Sequence, residues 1–274
     1  MNALPQLSFA HHANAFERAL SLDALRDRTP AVFAASPHAS TSSKYTFIPT
    51  ERVLSGLMGA GFVAVDARQT QARRSSSMHA RHLLRLRRRF ETVDLKDAIP
   101  EIVFLNSHDG TSAYQLRMGL FRVVCMNGLI VSRGAFPAYC VSHRGDVVEQ
   151  VVTGALRIAE EFDHLAAQVE RMEQRHLLKD EQLRFAEAAL SIRFPDPARR
   201  GMEPGQLLSC RRVEDLGDDL WTILNRCQEG LLGGGLSRRS ASGRLTRTRR
   251  ISSIKEDLRL NSRLWDLASE VLAA

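Results

Sequence analysis

From Arg81 to Phe90 the chain alternates. Arg81, Leu83, Arg85, Arg87 and Arg89 fall on one parity, and Leu84, Leu86 and Phe90 fall on the other. A period of two assigns the two sets to opposite faces of a strand, one largely cationic and one apolar. On a helix the same arginines would spread around the cylinder with no clean apolar stripe, so the strand is favoured.

The rest of the first half reads as short strands with little helix. Residues 45–48 form one expected strand, and a helix follows with Thr50 as N-cap and Val53, Leu54, Leu57 and Met58 on one face. Gly59 and Gly61 end it. Residues 62–65 are a strand and 66–77 a polar connection carrying Arg73 and Arg74. A strand over 101–106 turns at Ser107-His108-Asp109-Gly110 into a partner over 112–118. Leu120, Val123 and Val124 fit a short helical turn, with an all-strand reading open beside it. Residues 129–131 return to the sheet, and 139–142 form the last strand of this half.

From residue 146 the period becomes helical. Apolar positions at 3–4 spacing run from Val147 to His176, a second helix covers 177–192 up to Pro195-Asp196-Pro197, and a third covers 216–232. Gly233-Gly234-Gly235 closes that third helix as a C-cap and exit. Residues 236–250 are an arginine-rich, Ser/Thr-rich loop, and a final helix starts at Ser253. The fold class is therefore α+β: a mainly antiparallel sheet with short helices over 44–145, then a helical half over 146–274. Before it, 1–43 is a poorly ordered lead-in with one short helix over 14–25. From residue 44 onward the chain is expected to be one integrated domain.

Charge changes this picture. The chain has 38 Lys plus Arg against 31 Asp plus Glu, a formal net charge of +7, and only Lys44, Lys96, Lys179 and Lys255 are lysines. Guanidinium suits bidentate phosphate contact, so the bias leans toward nucleic acid; a GC-rich coding sequence yields the same arginine and alanine excess. Cys125, Cys140, Cys210 and Cys227 are widely spaced, no signal peptide pattern precedes them, and no apolar run has membrane length. A cytoplasmic protein with reduced thiols is expected. Cys140 and His143 have metal-ligand spacing, but a second close pair is missing.

Catalytic motifs are sparse. No Walker loop, dinucleotide fingerprint, nucleophile elbow or HExxH occurs. Asn106, His108 and Asp109 have the polar inventory of a small site, but a hairpin turn needs the same residue types. His82 reads as a packed or phosphate-facing imidazole. Asn225, Gln228 and Glu229, with Arg226 between them, suit either a buried polar network or acidic metal ligands. A metal-dependent nuclease needs clustered carboxylates, and Glu229, Asp109 and Asp94 are the ones on hand.

Several motifs occur together: Ala80-Arg81-His82, Asn106-Ser107-His108-Asp109-Gly110, Arg122 before Cys125-Met126-Asn127-Gly128-Leu129, Leu220-Trp221, Asn225-Arg226, Gln228-Glu229, Gly233-Gly234, and Asn261 to Trp265. With this set the chain resembles the uncharacterised YfjQ/YafZ-type domain-of-unknown-function family carried on plasmids and prophages. The resemblance spans roughly residues 45–267, departs in the Ser/Arg-rich 237–253 segment, and implies a mobile-element context with no activity attached.

The expected function is non-enzymatic nucleic-acid binding, single strands slightly favoured, with no cofactor, catalytic residue or metal ligand assigned. The binding residues are Arg73, Arg74, Arg81, Arg85, Arg87 and Arg89 around the strand, and Arg238, Arg239, Arg244, Arg247, Arg249 and Arg250 in the loop. The two clusters are expected to share one groove, and removing the charges of Arg85 and Arg87 to leave stability unchanged or higher. The alternatives are a factor that binds a host protein and, third, a metal-dependent nuclease.

Overall fold

The alternating stretch is a strand with a neighbour on each side. β1 (Phe62–Gln69), β2 (His82–Arg88), β3 (Ala98–Asn106), β4 (Tyr114–Arg122) and β5 (Gly128–Val131) lie in that order in one sheet. β6 (Tyr139–Val141) also pairs with β4. The computed structural model describes residues 19–43, 45–70, 77–89, 95, 98–122, 128–131, 138–141, 146–196, 201–240 and 243–274. The β1–β2, β2–β3, β4–β5 and β4–β6 ladders are antiparallel, so the sheet is built from hairpin-like returns rather than crossovers.

The chain divides into two compact units. The first holds α1 (Leu22–Arg28), α2 (Thr50–Gly59), β1, β2, most of β3, the start of β4, β6 and most of α3 (Val147–Glu160). Its core is made by Phe62, Leu84, Leu86, Ile102, Phe104 and Tyr114, all fully buried. Two glycines let the helices close on it. A Cβ at Gly154 would stand 3.1 Å from Leu116 and 3.4 Å from Tyr139, and one at Gly56 would stand 2.6 Å from Val148 Cγ1. The second unit holds the end of β4, β5, and α4 (Phe162–Gln174), α5 (Lys179–Arg193), α6 (Leu220–Gly233) and α7 (Ile254–Ala273). Its core centres on Trp265, Phe162, Leu224, Leu231 and Leu264, and α7 lies against α6 and β5.

The α+β architecture is as the sequence predicts, with local differences. Residues 45–48 are not a strand. Pro49, not Thr50, caps α2, because the Thr50 hydroxyl is engaged with distant side chains. β4 continues as strand through Arg122, so at Leu120 the preference for a pleated surface prevails over the helical turn, while Val123 and Val124 lie outside the described residues. The long helix expected over 147–176 is two, α3 and α4, with Glu161 between them. The segment expected as a loop contains a two-stranded antiparallel ribbon, β7 (Ser237–Arg239) and β8 (Leu245–Arg247). Gly234 (φ 73°) ends α6 and donates its N–H to Gly230 O at 3.2 Å, the C-cap the glycine run implies. No helix among the described residues is long and apolar enough to cross a membrane.

Candidate functional site

β2 has the expected parity, but its cationic face is closed. Asp66 of β1 stands opposite Arg85, and continuing the β2–β3 register past Leu86–Ile102 sets Glu101 beside Arg87. Arg85 donates from Nε and Nη2 to Glu101 at 2.7 and 3.0 Å, and Arg87 Nε donates to Glu101 Oε1 at 2.5 Å. Asp66 lies 3.6 Å from Arg85. Glu101 is fully buried, and Arg85 and Arg87 are only 9% and 7% exposed. The row expected to face a polyanion is an internal ion-pair cluster, because β2 is an interior strand whose two neighbours supply carboxylates on that face. Arg85 and Arg87 therefore line no ligand groove. Arg81 and Arg89 are half-buried at either end of the strand, and Arg73 and Arg74 lie outside the described residues.

A second polar set is buried on the Leu84–Leu86 face of β2. The Thr50 hydroxyl meets His82 Nε2 at 2.9 Å and His108 Nε2 at 3.1 Å, and accepts from Asn106 Nδ2 at 2.9 Å. His82 Nδ1 lies 3.0 Å from Ala80 O, and Thr50, His82, Asn106 and His108 are fully buried. Burial pushes the His82 pKa down to about 4 against the opposing bond to Ala80 O, so the ring is neutral at pH 7. Phe47 packs edge-on to His108 at 5.0 Å. This set ties the start of α2 to β2 and to the end of β3. Without solvent access, it is a structural tie rather than an acid–base centre. Asp109 serves the turn: its Oδ1 accepts from Ser107 and Thr111. Burial alone would raise its carboxyl, but those bonds outweigh it and hold it low.

Of the remaining predicted arginines, Arg238 is half-buried and the other five form an open surface. Arg239, Arg244, Arg247, Arg249 and Arg250 are exposed, and among the described residues none has a carboxylate within ion-pair distance. The 236–250 segment contains no Asp or Glu. Its base is fixed to neighbouring helices. Gly235 N–H donates to Thr248 O and Ile251 N–H to Leu232 O, both at 2.9 Å. Arg193, at the end of α5, donates to Leu231 O and to Arg249 O. Gly201 holds the other side: its O accepts from Arg239 N–H at 2.9 Å, and its φ of 60° and the closeness of Arg239 O leave no room for a side chain.

The model of a domain of unknown function, DUF932, matches residues 37–265. The UPF0380 protein YafZ of Escherichia coli (strain K12) is 41% identical over 257 residues, covering 93% of both chains. YfjQ of the same organism is 40% identical over the same span and share. The chain belongs to the DUF932 family. No solved structure matches it.

Within this DUF932 chain, the motif residues of the second unit are mostly internal. Arg122 Nη1 donates to Asp215 at 2.6 Å, with both side chains almost fully buried. Arg212 bonds Glu229 at 2.9 and 2.5 Å and lies 3.3 Å from Asp215. Arg226 donates to Asp215 O and Gly217 O. Asn225 donates to Trp221 O, and Gln228 donates to Asn261, which in turn donates to Asp257. Asn225 thus bonds its own helix, and the half-buried Glu229 pairs with Arg212. Among the described residues no three of His, Cys, Asp or Glu gather as metal ligands. Sequence reasoning missed Glu101, Asp66, Asp215 and Arg212. A lone carboxylate in the apolar stretch 101–105 was the one signal available for Glu101.

Proposed function

We propose that this DUF932 protein is a non-enzymatic nucleic-acid-binding protein that contacts phosphates through the ribbon segment 236–250. One observation carries the reading: five exposed arginines on a rigidly based ribbon whose segment holds no carboxylate. Arg85, Arg122 and Arg212 are neutralised by bidentate or short carboxylate contacts, whereas the five arginines of this segment are close together in sequence and have none among the described residues. Arginine is the side chain best matched to phosphate.

If the five guanidinium groups engage five phosphates, log K falls against log salt with a slope of about −4. Fluorescence anisotropy of a labelled oligonucleotide across a salt series measures it. Absence of binding at low ionic strength would overturn the reading, and a slope near zero would remove the ribbon's phosphates from it.

A further inference from the structure

We propose that the ribbon enters the major groove of double-stranded DNA by its β8 edge, with Leu245 against the base edges. The inference rests on the nucleic-acid reading above and names its ligand class.

The two edges of the ribbon differ. On the β7 side, Ser237 N–H donates to Gln206 Oε1 at 2.8 Å, Ser237 O accepts from Gln206 Nε2 at 3.1 Å, and Arg239 N–H is taken by Gly201 O. That edge is occupied. On the β8 side the register pairs Ser237 with Arg247 and Arg239 with Leu245. Thr248 N–H donates to Leu236 O and Ser240 N–H to Arg244 O, so Thr248 and Arg244 turn inward to β7. The alternation of an antiparallel ladder then turns the backbone groups of Leu245 and Arg247 outward. β8 is the edge that leads.

Along that edge the side chains alternate between two faces. Leu245 and Arg247 share one face with Arg239, while Arg244 and Thr246 lie on the other. Cations thus flank the edge on both sides. A cleft with phosphates along both walls satisfies both faces at once, whereas a single strand lying on a platform uses only one. Single-strand platforms also stack bases on aromatic rings, and 236–250 contains no Phe, Tyr or Trp. The arginine row of β2, which on an open sheet would suit a single-strand platform, is internal.

Leu245 narrows the ligand further. It is 65% exposed, and on their common face it stands opposite Arg239 and two residues before Arg247. A lone exposed leucine is ordinary. One centred in a phosphate-binding edge has no phosphate to meet, but it does meet the thymine methyl groups that line a major groove. A two-stranded ribbon fits the roughly 12 Å width of that groove in B-form DNA. The deep, narrow major groove of A-form RNA excludes side chains, so an RNA duplex is a poor ligand.

The test uses the full chain and three labelled probes of one mixed, A·T-containing sequence at a single salt concentration: the DNA duplex, its single strand, and the RNA duplex. The DNA duplex is expected to bind about tenfold tighter than either of the others, the scale of one good base contact. Leu245→Ala should bring the duplex to within about threefold of the single strand while its salt slope stays at the wild-type value, because no charge changes. The variant should unfold at the wild-type temperature, since the side chain is exposed. Equal or tighter binding of the single strand or of RNA, or an unchanged preference in Leu245→Ala, overturns the inference and leaves nucleic-acid binding standing. Failure of all three probes to bind overturns both.

Discussion

Changing Arg85 and Arg87 together to glutamine will lower the unfolding free energy by about 3–5 kcal/mol, the usual cost of leaving a buried charge without its partner. Both Glu101 oxygens are held by these two guanidinium groups, and the carboxylate is fully buried. In the double variant the Glu101 carboxylate is left in a dry site without its partners, and that weakens the fold. Adding Glu101→Gln removes the orphaned charge and should restore part of the loss. Strand parity alone implies the opposite sign, unchanged or higher stability, because it treats the cationic face as solvated. Urea unfolding of the three variants beside the parent chain at pH 7 is the check. A double variant as stable as the parent would mean that the pair faces outward after all.

Acid will produce the second large effect. An ordinary imidazole protonates near 6.5, whereas burial holds His82 to about 4 in the folded chain. Above about pH 6.5 neither folded nor unfolded chain carries that proton, and the full stability is present. Between about 6.5 and 4 only the unfolded chain takes it up, so stability drops as pH falls, by about 3 kcal/mol in total, and this contribution levels off below the folded value. Thr50, Asn106 and His108 pack around the ring, and Thr50 and Ala80 O occupy its two nitrogens, so no carboxylate within that set offsets the loss. Unfolding free energies at intervals from pH 7 to pH 4 should show this decline, and His82→Gln should flatten it. The same slope in both chains would place the pH dependence elsewhere.

The sequence carries some of this directly and some not at all. The period-two run at 82–88 specifies a strand and which residues share its faces, because side-chain direction depends only on local parity. It does not specify what lies beside the strand. That Arg85 meets Asp66 and Glu101 follows from the register of two other strands, set by contacts 14 to 19 residues away. Thr50 has the residue type of an N-cap, yet its hydroxyl is taken by His82 and His108, 32 and 58 residues away. The apolar period from Val147 onward passes smoothly through Glu161, so the break between α3 and α4 leaves no mark in it. Residues 236–250 read as a loop because Leu236 and Leu245 are their only large apolar residues, and a ribbon with no buried face has no hydrophobic alternation to display. The arginine count there was legible; the pairing that arrays those arginines on two faces was not. Motif residues such as Gln228 and Asn261 were legible as polar groups on helices, and only packing shows that they bond each other.

Arginine is divided between internal ties and the proposed binding surface. Covalent labelling of arginine with a dicarbonyl reagent, read residue by residue by mass spectrometry with and without duplex DNA, separates the two groups. Arg239, Arg244, Arg247, Arg249 and Arg250 should label fast and be strongly protected by DNA, with little labelling of Arg85, Arg87 or Arg122 in either condition. Ready labelling of Arg85 and Arg87 that DNA suppresses, with the ribbon arginines indifferent to it, would overturn the proposed division.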